Sequence, residues 1–220
     1  LYVADMNVGL LIISALGAVG VLGMTLGGWA SNSHYSLLGS LRGAAQLVSY
    51  EVAVTLAMLA PVMSASSLSL VEIVQAQQRR GIWFVFDNFG LMIVTFGIFL
   101  IAAVAETNRA PFDLPEAESE LVAGFHTEYS GFRWALFMLG EYAHAFVICG
   151  VTVVLFFGGW LPPLEIDLIP WFDIPGILWL FGKTLVIFFM FGWIWATVPR
   201  YRYDQLMRLG WKVFLPLSLI

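Results

Sequence analysis

The stretch of sequence that decides the fold is residues 89–129, FGLMIVTFGIFLIAAVAETNRAPFDLPEAESELVAGFHTEY. It begins with an apolar segment, 89–105, that is long enough to cross a bilayer. It continues into a polar segment, 106–129, with six carboxylates and one arginine. The whole sequence has only 15 acidic residues, so this polar segment holds two-fifths of them. Charge concentrated at one end of a membrane helix indicates the handling of protons, ions or a polar ligand there.

The composition is that of an integral membrane protein. The 220 residues are 60% hydrophobic and 11% charged, whereas soluble domains contain about 25% charged residues. The single cysteine, Cys149, excludes a disulfide framework and a thiolate-ligated cluster made by this chain alone. Three scattered histidines argue against a metal site, and we expect no nucleic-acid partner. The first residue is not Met and the last ones are apolar, so we expect a fragment of a longer polytopic protein.

We predict an all-α transmembrane helix bundle, because lipid-exposed backbone must satisfy its own hydrogen bonds. Five complete spans and the start of a sixth fit the apolar segments, and each complete span has about 17–25 residues for a core of about 30 Å. The first span has glycines at small-residue spacing that favour a close helix contact, with the general tolerance of membrane helices for glycine as the alternative. These glycines are Gly17, Gly20, Gly23, Gly27 and Gly28. The predicted spans are about 6–30, 44–63, 89–105, 135–157, 176–198 and 209–220, in a single transmembrane domain, 1–220, whose acidic loop is 106–134.

The positive charges predict the orientation of these spans. Connections 31–43, 106–134 and 199–212 lie on one side and carry seven of the ten Lys and Arg residues. The opposite connections carry only Arg79 and Arg80. The positive-inside rule therefore predicts a cytoplasmic acidic loop.

Four ionisable residues fall inside predicted spans. A charge at the bilayer centre costs about 2.5–3.5 kcal/mol on insertion scales, so such a group must pair, change its protonation or line water. Glu51 and Glu141 are therefore candidate proton carriers, with helix-packing hydrogen bonds as the alternative. His144 shares a helix face with Glu141, and Lys183 lies near a span end from which it could reach the interface.

The acidic loop itself allows two interpretations. Arg109 follows Glu106 by three residues and could pair with it if the helix continued. Glu116 and Glu120 are one helical turn apart and would titrate as a coupled set. Because apolar residues are interspersed, a purely solvated loop is disfavoured, while proton handling and docking of a soluble partner both stay open.

Residues 105–129, together with 133–137 (RWALF) and Glu141-Tyr142, resemble the signature of the subunit 1 family (the H-subunit family) of respiratory complex I, the proton-pumping NADH–quinone oxidoreductase. The long acidic run is very specific, and further similar segments extend over most of the chain. These segments are 28–33 (GWASNS), 35–39 (YSLLG), 41–42 (LR) through 49–51 (SYE), and 202–206 (RYDQL).

The resemblance implies a membrane subunit that forms part of a ubiquinone or menaquinone cavity and couples quinone reduction to proton translocation. It implies partner complex I subunits that hold FMN and iron–sulfur clusters, with no redox centre in this chain. A bacterial plasma membrane is favoured over the mitochondrial inner membrane. By position, the resemblance places seven loop residues beside the quinone cavity: Glu106, Arg109, Asp113, Glu116, Glu118, Glu120 and Glu128. It places Glu51 and Glu141 in the intramembrane proton path. Further candidates are Arg42, His144, Lys183 and Asp204.

The sequence departs from the family at two places. The family's first helix and its basic loop at the quinone entrance are absent from these residues. Some relatives have an acid in the helix that matches 6–30, and here none lies between Asp5 and Glu51. The alternatives left open are the equivalent subunit of a membrane-bound hydrogenase and a stand-alone ion transporter that uses Glu51, Glu141 and Lys183.

Overall fold

A computed structural model describes residues 5–115, 124–162 and 175–219. Within these ranges every regular element is helical. The helices are α1 (Gly9–Ala30), α2 (His34–Ala65), α3 (Leu70–Arg80), α4 (Leu91–Glu106), α5 (Gly131–Phe156), α6 (Gly176–Thr197), α7 (Tyr203–Leu209) and α8 (Leu215–Leu219), with a π-helical turn at Gly210–Phe214 and 3₁₀ turns at Phe84–Phe86, Asn88–Gly90 and Gly124–His126.

The helix lengths confirm an all-α polytopic membrane fold. Four helices, α1, α2, α5 and α6, are long and apolar enough to cross a membrane. The predicted span 89–105 coincides with α4, which is apolar but has only 16 residues. The predicted start of a sixth span is a π-helical turn followed by the short helix α8. The borders of the bilayer along these helices stay predictions.

Two helices begin earlier than the predicted spans. α2 begins at His34, so most of the predicted connection 31–43 is helical. Its small polar residues Ser36 and Ser40 are fully buried, because this turn packs against α1 and the acidic loop rather than facing water. α5 begins at Gly131, inside the predicted loop 106–134. The polarity at the start of α2 therefore reflects a packed polar interface, whereas residues 131–136 at the start of α5 are exposed.

The connection 64–88 contains an amphipathic helix, α3, that the sequence analysis missed. Its N-cap residue Ser69 accepts a hydrogen bond from the backbone N–H of Glu72 at 3.5 Å. Its apolar face is buried, and Gln77 Nε2 donates to the carbonyl oxygen of Val154 at 2.9 Å. This contact holds α3 against the end of α5. A helix of 11 residues is too short to read as a membrane span.

The centre of the bundle is α2, which packs against α1 and α4, while α6 packs on α5. Gly28 permits the closest approach of α1 to α2, since an added Cβ would lie 2.3 Å from Cβ of Ser40. Gly20 and Gly23 differ, because no atom of the part of the chain that the structure describes lies within 4 Å of an added Cβ there. Within the described residues the predicted close helix contact is present at Gly28, whereas Gly20 and Gly23 border open space.

Candidate functional site

The end of α4 and one face of α5 are joined by two ion pairs. His144 Nε2 lies 3.3 Å from Glu106 Oε1, and this contact is an ion pair when the imidazole is protonated. Arg109 Nη2 lies 2.8 Å from Glu141 Oε2. Each segment carries an acid followed three residues later by a base. Because the two segments run antiparallel, each acid meets the base of the other segment.

This pairing differs from the expected contact between Glu106 and Arg109. α4 ends at Glu106, and Asn108 adopts a left-handed conformation with φ of 52°. The chain therefore leaves the helical path before Arg109, which turns away from the face that carries Glu106. The i, i+3 spacing applies only inside a continuous helix.

The Arg109 side chain lies in an aromatic environment. Its guanidinium carbon is 4.7 Å from the ring centroid of Tyr142 and 5.9 Å from that of Trp195. Both rings stabilise the cation through their π faces. The side chains of Arg109 and Glu141 are 22% and 13% exposed, so the pair is shielded from solvent within this chain. Trp195 thus links α6 to the site.

Buried hydrogen bonds fix the segment after α4. Gln46 Nε2 donates to the carbonyl oxygens of Ala105 and Phe112, at 2.7 and 2.8 Å. The backbone N–H of Tyr201 donates to the carbonyl oxygen of Pro111 at 3.0 Å, and the Tyr201 and Phe112 rings stack at 5.5 Å. Gln46 is a positioning residue that the sequence analysis missed. A lone amide in the apolar part of α2 is the signal that could have found it.

The far end of the loop is fastened to α1 and α2. Ser36 Oγ donates to the carbonyl oxygen of Phe125 at 2.7 Å, and Tyr129 Oη donates to that of Gly27 at 2.9 Å. At Gly39, an added Cβ would lie 2.9 Å from the carbonyl oxygen of Pro115. The described parts of the acidic loop are therefore packed into the bundle, which explains their apolar residues.

Two cavities meet at the Glu106–His144 pair. The loop-side cavity, of about 350 Å³, lies between the second half of α1, the start of α5 and the residues around Asn108. The deep cavity, of about 310 Å³, lies between the first half of α1, the second half of α2 and the second half of α5. The residues that line both cavities are Leu16, Gly17, Glu51, Glu106 and His144.

The loop-side cavity has polar atoms that suit a polar occupant. Glu106 Oε2 and Asn108 Oδ1 are buried and accept no hydrogen bond from any described residue. Both residues line this cavity. Buried polar atoms in proteins almost always have a hydrogen-bond partner. The cavity is therefore suited to water or to a polar group of a ligand.

Lys183 lies apart from the acids. Its Nζ donates to the carbonyl oxygens of Phe157, Gly159 and Leu161 at 2.7, 3.2 and 2.5 Å. It also lies 4.7 Å from the ring centroid of Trp83. The ammonium therefore holds the chain that follows α5, and the structure does not bring it to Glu51 or Glu141.

The other predicted residues vary in their surroundings. Arg42 on α2 and Asp113 in the loop are half-buried, and Arg200 Nη2 donates to the carbonyl oxygen of Asp113 at 2.7 Å. Glu128 is exposed. Asp204 forms a solvent-exposed pair with Arg202 at 3.5 Å. Glu116, Glu118 and Glu120 lie outside the described residues. Among the described residues no group of three or more His, Cys, Asp or Glu side chains could hold a metal ion.

The long apolar helices, the packed described parts of the polar loop and the ion-paired carboxylates beside two cavities define a polytopic membrane protein with a candidate acid–base site. The chain belongs to the NADH dehydrogenase family, whose family model matches residues 2–220. It is 56% identical, over 99% of its length, to the H subunit of the NADH-quinone oxidoreductase of Rhodospirillum rubrum and to that of Sphingopyxis alaskensis. It is 49% identical, over 100% of its length, to the H 2 subunit of the NADH-quinone oxidoreductase of Solibacter usitatus. The chain spans 63%, 62% and 70% of these three relatives, respectively.

Proposed function

We propose that this chain is a membrane subunit of a proton-translocating NADH–quinone oxidoreductase in a bacterial inner membrane. In this proposal it contributes to the quinone cavity and couples quinone reduction to proton movement. The FMN and iron–sulfur clusters belong to partner subunits, and this chain holds no redox centre. Family membership, the relatives' names and the membrane helices support this assignment.

The observation that carries the coupling role is the shared position of Glu51, Glu106 and His144 between two cavities. Reduction of a quinone to a quinol takes up protons together with electrons. A proton that arrives from the loop side would change the charge of Glu106. The Oε1 atom of Glu106 faces His144, and its Oε2 atom borders the loop-side cavity. The change would then reach Glu51, which borders both cavities.

The Arg109–Glu141 pair has a different part in this proposal. The guanidinium of Arg109 contacts Glu141 and two aromatic rings and so holds that carboxylate in place. In this proposal Glu141 keeps its contact with Arg109 until Arg109 moves. The site thus combines one held carboxylate with two carboxylates open to the cavities.

The test is the variant Glu106→Gln in the assembled complex, with quinone-dependent NADH oxidation and proton pumping measured separately. The amide keeps the size of the side chain and cannot carry the proton, so we expect both rates to fall about tenfold or more. The matched control is Glu72→Gln, an exposed residue of α3, which should keep both rates.

Three outcomes would contradict parts of the proposal. Wild-type rates of oxidation and pumping in Glu106→Gln would remove this acid from the mechanism. Loss of the flavin and iron–sulfur subunits from the purified variant complex would favour the docking role of the loop. Isolation of the wild-type chain without such subunits would favour a hydrogenase-type partner set or a stand-alone transporter.

A further inference from the structure

We propose that His144 is the proton-transfer residue between the two cavities, taking a proton from Glu106 and passing it to Glu51. This inference rests on the proposed function, because it assigns the step that joins two of its carboxylates. Two other basic side chains lie near these helices. Lys183 contacts three carbonyl oxygens away from the cavities, and Arg109 contacts Glu141.

The position of the imidazole carries the first part of the argument. His144 Nε2 is 3.3 Å from Glu106 Oε1, which is within reach for direct proton transfer after a small approach. The side chain of His144 is 32% exposed, whereas that of Glu106 is 13% exposed. The ring therefore borders open cavity space on the side that does not face Glu106, and it lines both the loop-side and the deep cavity.

The surroundings of the ring carry the second part. On the α1 side the ring lies against Gly17, where an added Cβ would be 3.5 Å from Cε1 of His144. Because Gly17 has no side chain, it does not restrict the orientation of the ring. The titratable groups that face this region are Glu106 from α4, Glu51 from α2 and Glu141 on the same helix, and α1 contains no titratable residue.

α1 has no acid that could carry the proton along its side of the two cavities. Glu51 and Glu106 both line the cavities, but α1 supplies only Ser14 and backbone as polar groups along its cavity face between residues 10 and 17. An imidazole accepts a proton at one nitrogen and can release one after the ring reorients. Glu141 is not the acceptor in this proposal, because its carboxylate already contacts Arg109.

The transfer balances in two steps. First the O–H bond of protonated Glu106 breaks and an N–H bond forms at Nε2 of His144, which leaves a carboxylate beside an imidazolium. Then an N–H bond of the imidazolium breaks and an O–H bond forms on the carboxylate of Glu51. One proton has moved from Glu106 to Glu51, His144 is neutral again, and no electrons are transferred.

The experiment uses the assembled complex with His144→Gln and His144→Ala. Glutamine keeps a donor for Glu106 but does not titrate, so we expect coupled NADH oxidation and proton pumping to fall about tenfold or more. In His144→Ala we expect added imidazole to restore the rates and added pyrazole, a ring of the same size and much lower basicity, to leave them low. A purely structural role for His144 would not produce this difference.

The outcomes separate the inference from the proposed function. Wild-type rates in His144→Gln, together with low rates in Glu106→Gln, would overturn the role of His144 and leave the proposed function standing. Wild-type rates in both variants would overturn both. Equal rescue by imidazole and pyrazole would show that the ring only fills space. If His144→Ala fails to assemble, His144→Gln with its flavin content measured decides the inference.

Discussion

Replacement of Lys183 by Met should destabilise the bundle and leave the proposed proton coupling intact. Lys183 Nζ donates to three carbonyl oxygens in the chain that follows α5, and its ammonium lies over the ring of Trp83. Met keeps most of the length and apolar character of the side chain but removes every donor. The three carbonyl groups would then lose their shared partner.

The magnitude follows from these contacts. A hydrogen bond from a charged donor contributes about 1.5–3 kcal/mol, and three bonds to one ammonium are not additive. The cation–π contact adds about 0.5–2 kcal/mol. We therefore expect a loss of about 3 kcal/mol, which for a chain of this size lowers the unfolding temperature by about 6–12 °C.

The assay uses Cys149, the single and fully buried cysteine of these residues, as a reporter of unfolding. The full chain in detergent is heated with a thiol-reactive reagent, and modification at Cys149 is quantified by peptide mass spectrometry. Lys212→Met, at an exposed lysine, is the matched control and should unfold at the wild-type temperature. A Lys183→Met variant that unfolds with the control would refute the reasoning. In the assembled complex, well below the unfolding temperature, a lowered ratio of protons pumped to NADH oxidised would instead support a part for Lys183 in the proposed proton path.

Three further changes test the packing around the site with the same reporter. Gly28→Ala would place a Cβ 2.3 Å from a serine of α2 and should cost about 1–3 kcal/mol, whereas Gly20→Ala has open space and should be neutral or stabilising. Arg109→Gln and Glu141→Gln should each lower the free energy of unfolding by about 3 kcal/mol, and the double variant should lower it by clearly less than the sum of the two. Simple additivity of the two losses would contradict the Arg109–Glu141 ion pair. Gln46→Leu removes the side-chain donor shared by the carbonyl oxygens of Ala105 and Phe112 and should cost about 2 kcal/mol. An unchanged unfolding temperature would contradict its positioning role.

Much of the fold could be predicted from contiguous residues. The apolar segments predicted the helices α1, α5 and α6 closely, because a membrane helix requires a continuous apolar run. The errors lie where a polar or short segment is held by neighbours. The first turns of α2 contain Ser36 and Ser40, which are polar yet buried, and α3 is a short helix supported by the end of α5.

In the candidate site, too, contiguous residues predicted some features and tertiary contacts decided the others. The acids Glu106 and Glu141 were identifiable because charges beside or within apolar segments are costly and therefore conspicuous. Their partners were not, since the local spacing favoured Arg109 for Glu106. The left-handed turn at Asn108 redirects Arg109 to Glu141 and leaves Glu106 to His144.

The sequence by itself determined that this is a helical membrane protein with an acidic loop, because hydropathy and charge are properties of contiguous residues. It also carries the signature of its family across the whole chain. Only the tertiary structure decided which charges meet. The pairs Glu106–His144 and Arg109–Glu141 join residues more than thirty positions apart in sequence. Their contact depends on the antiparallel packing of two chain segments, and this geometry also places Glu51 beside the same cavities.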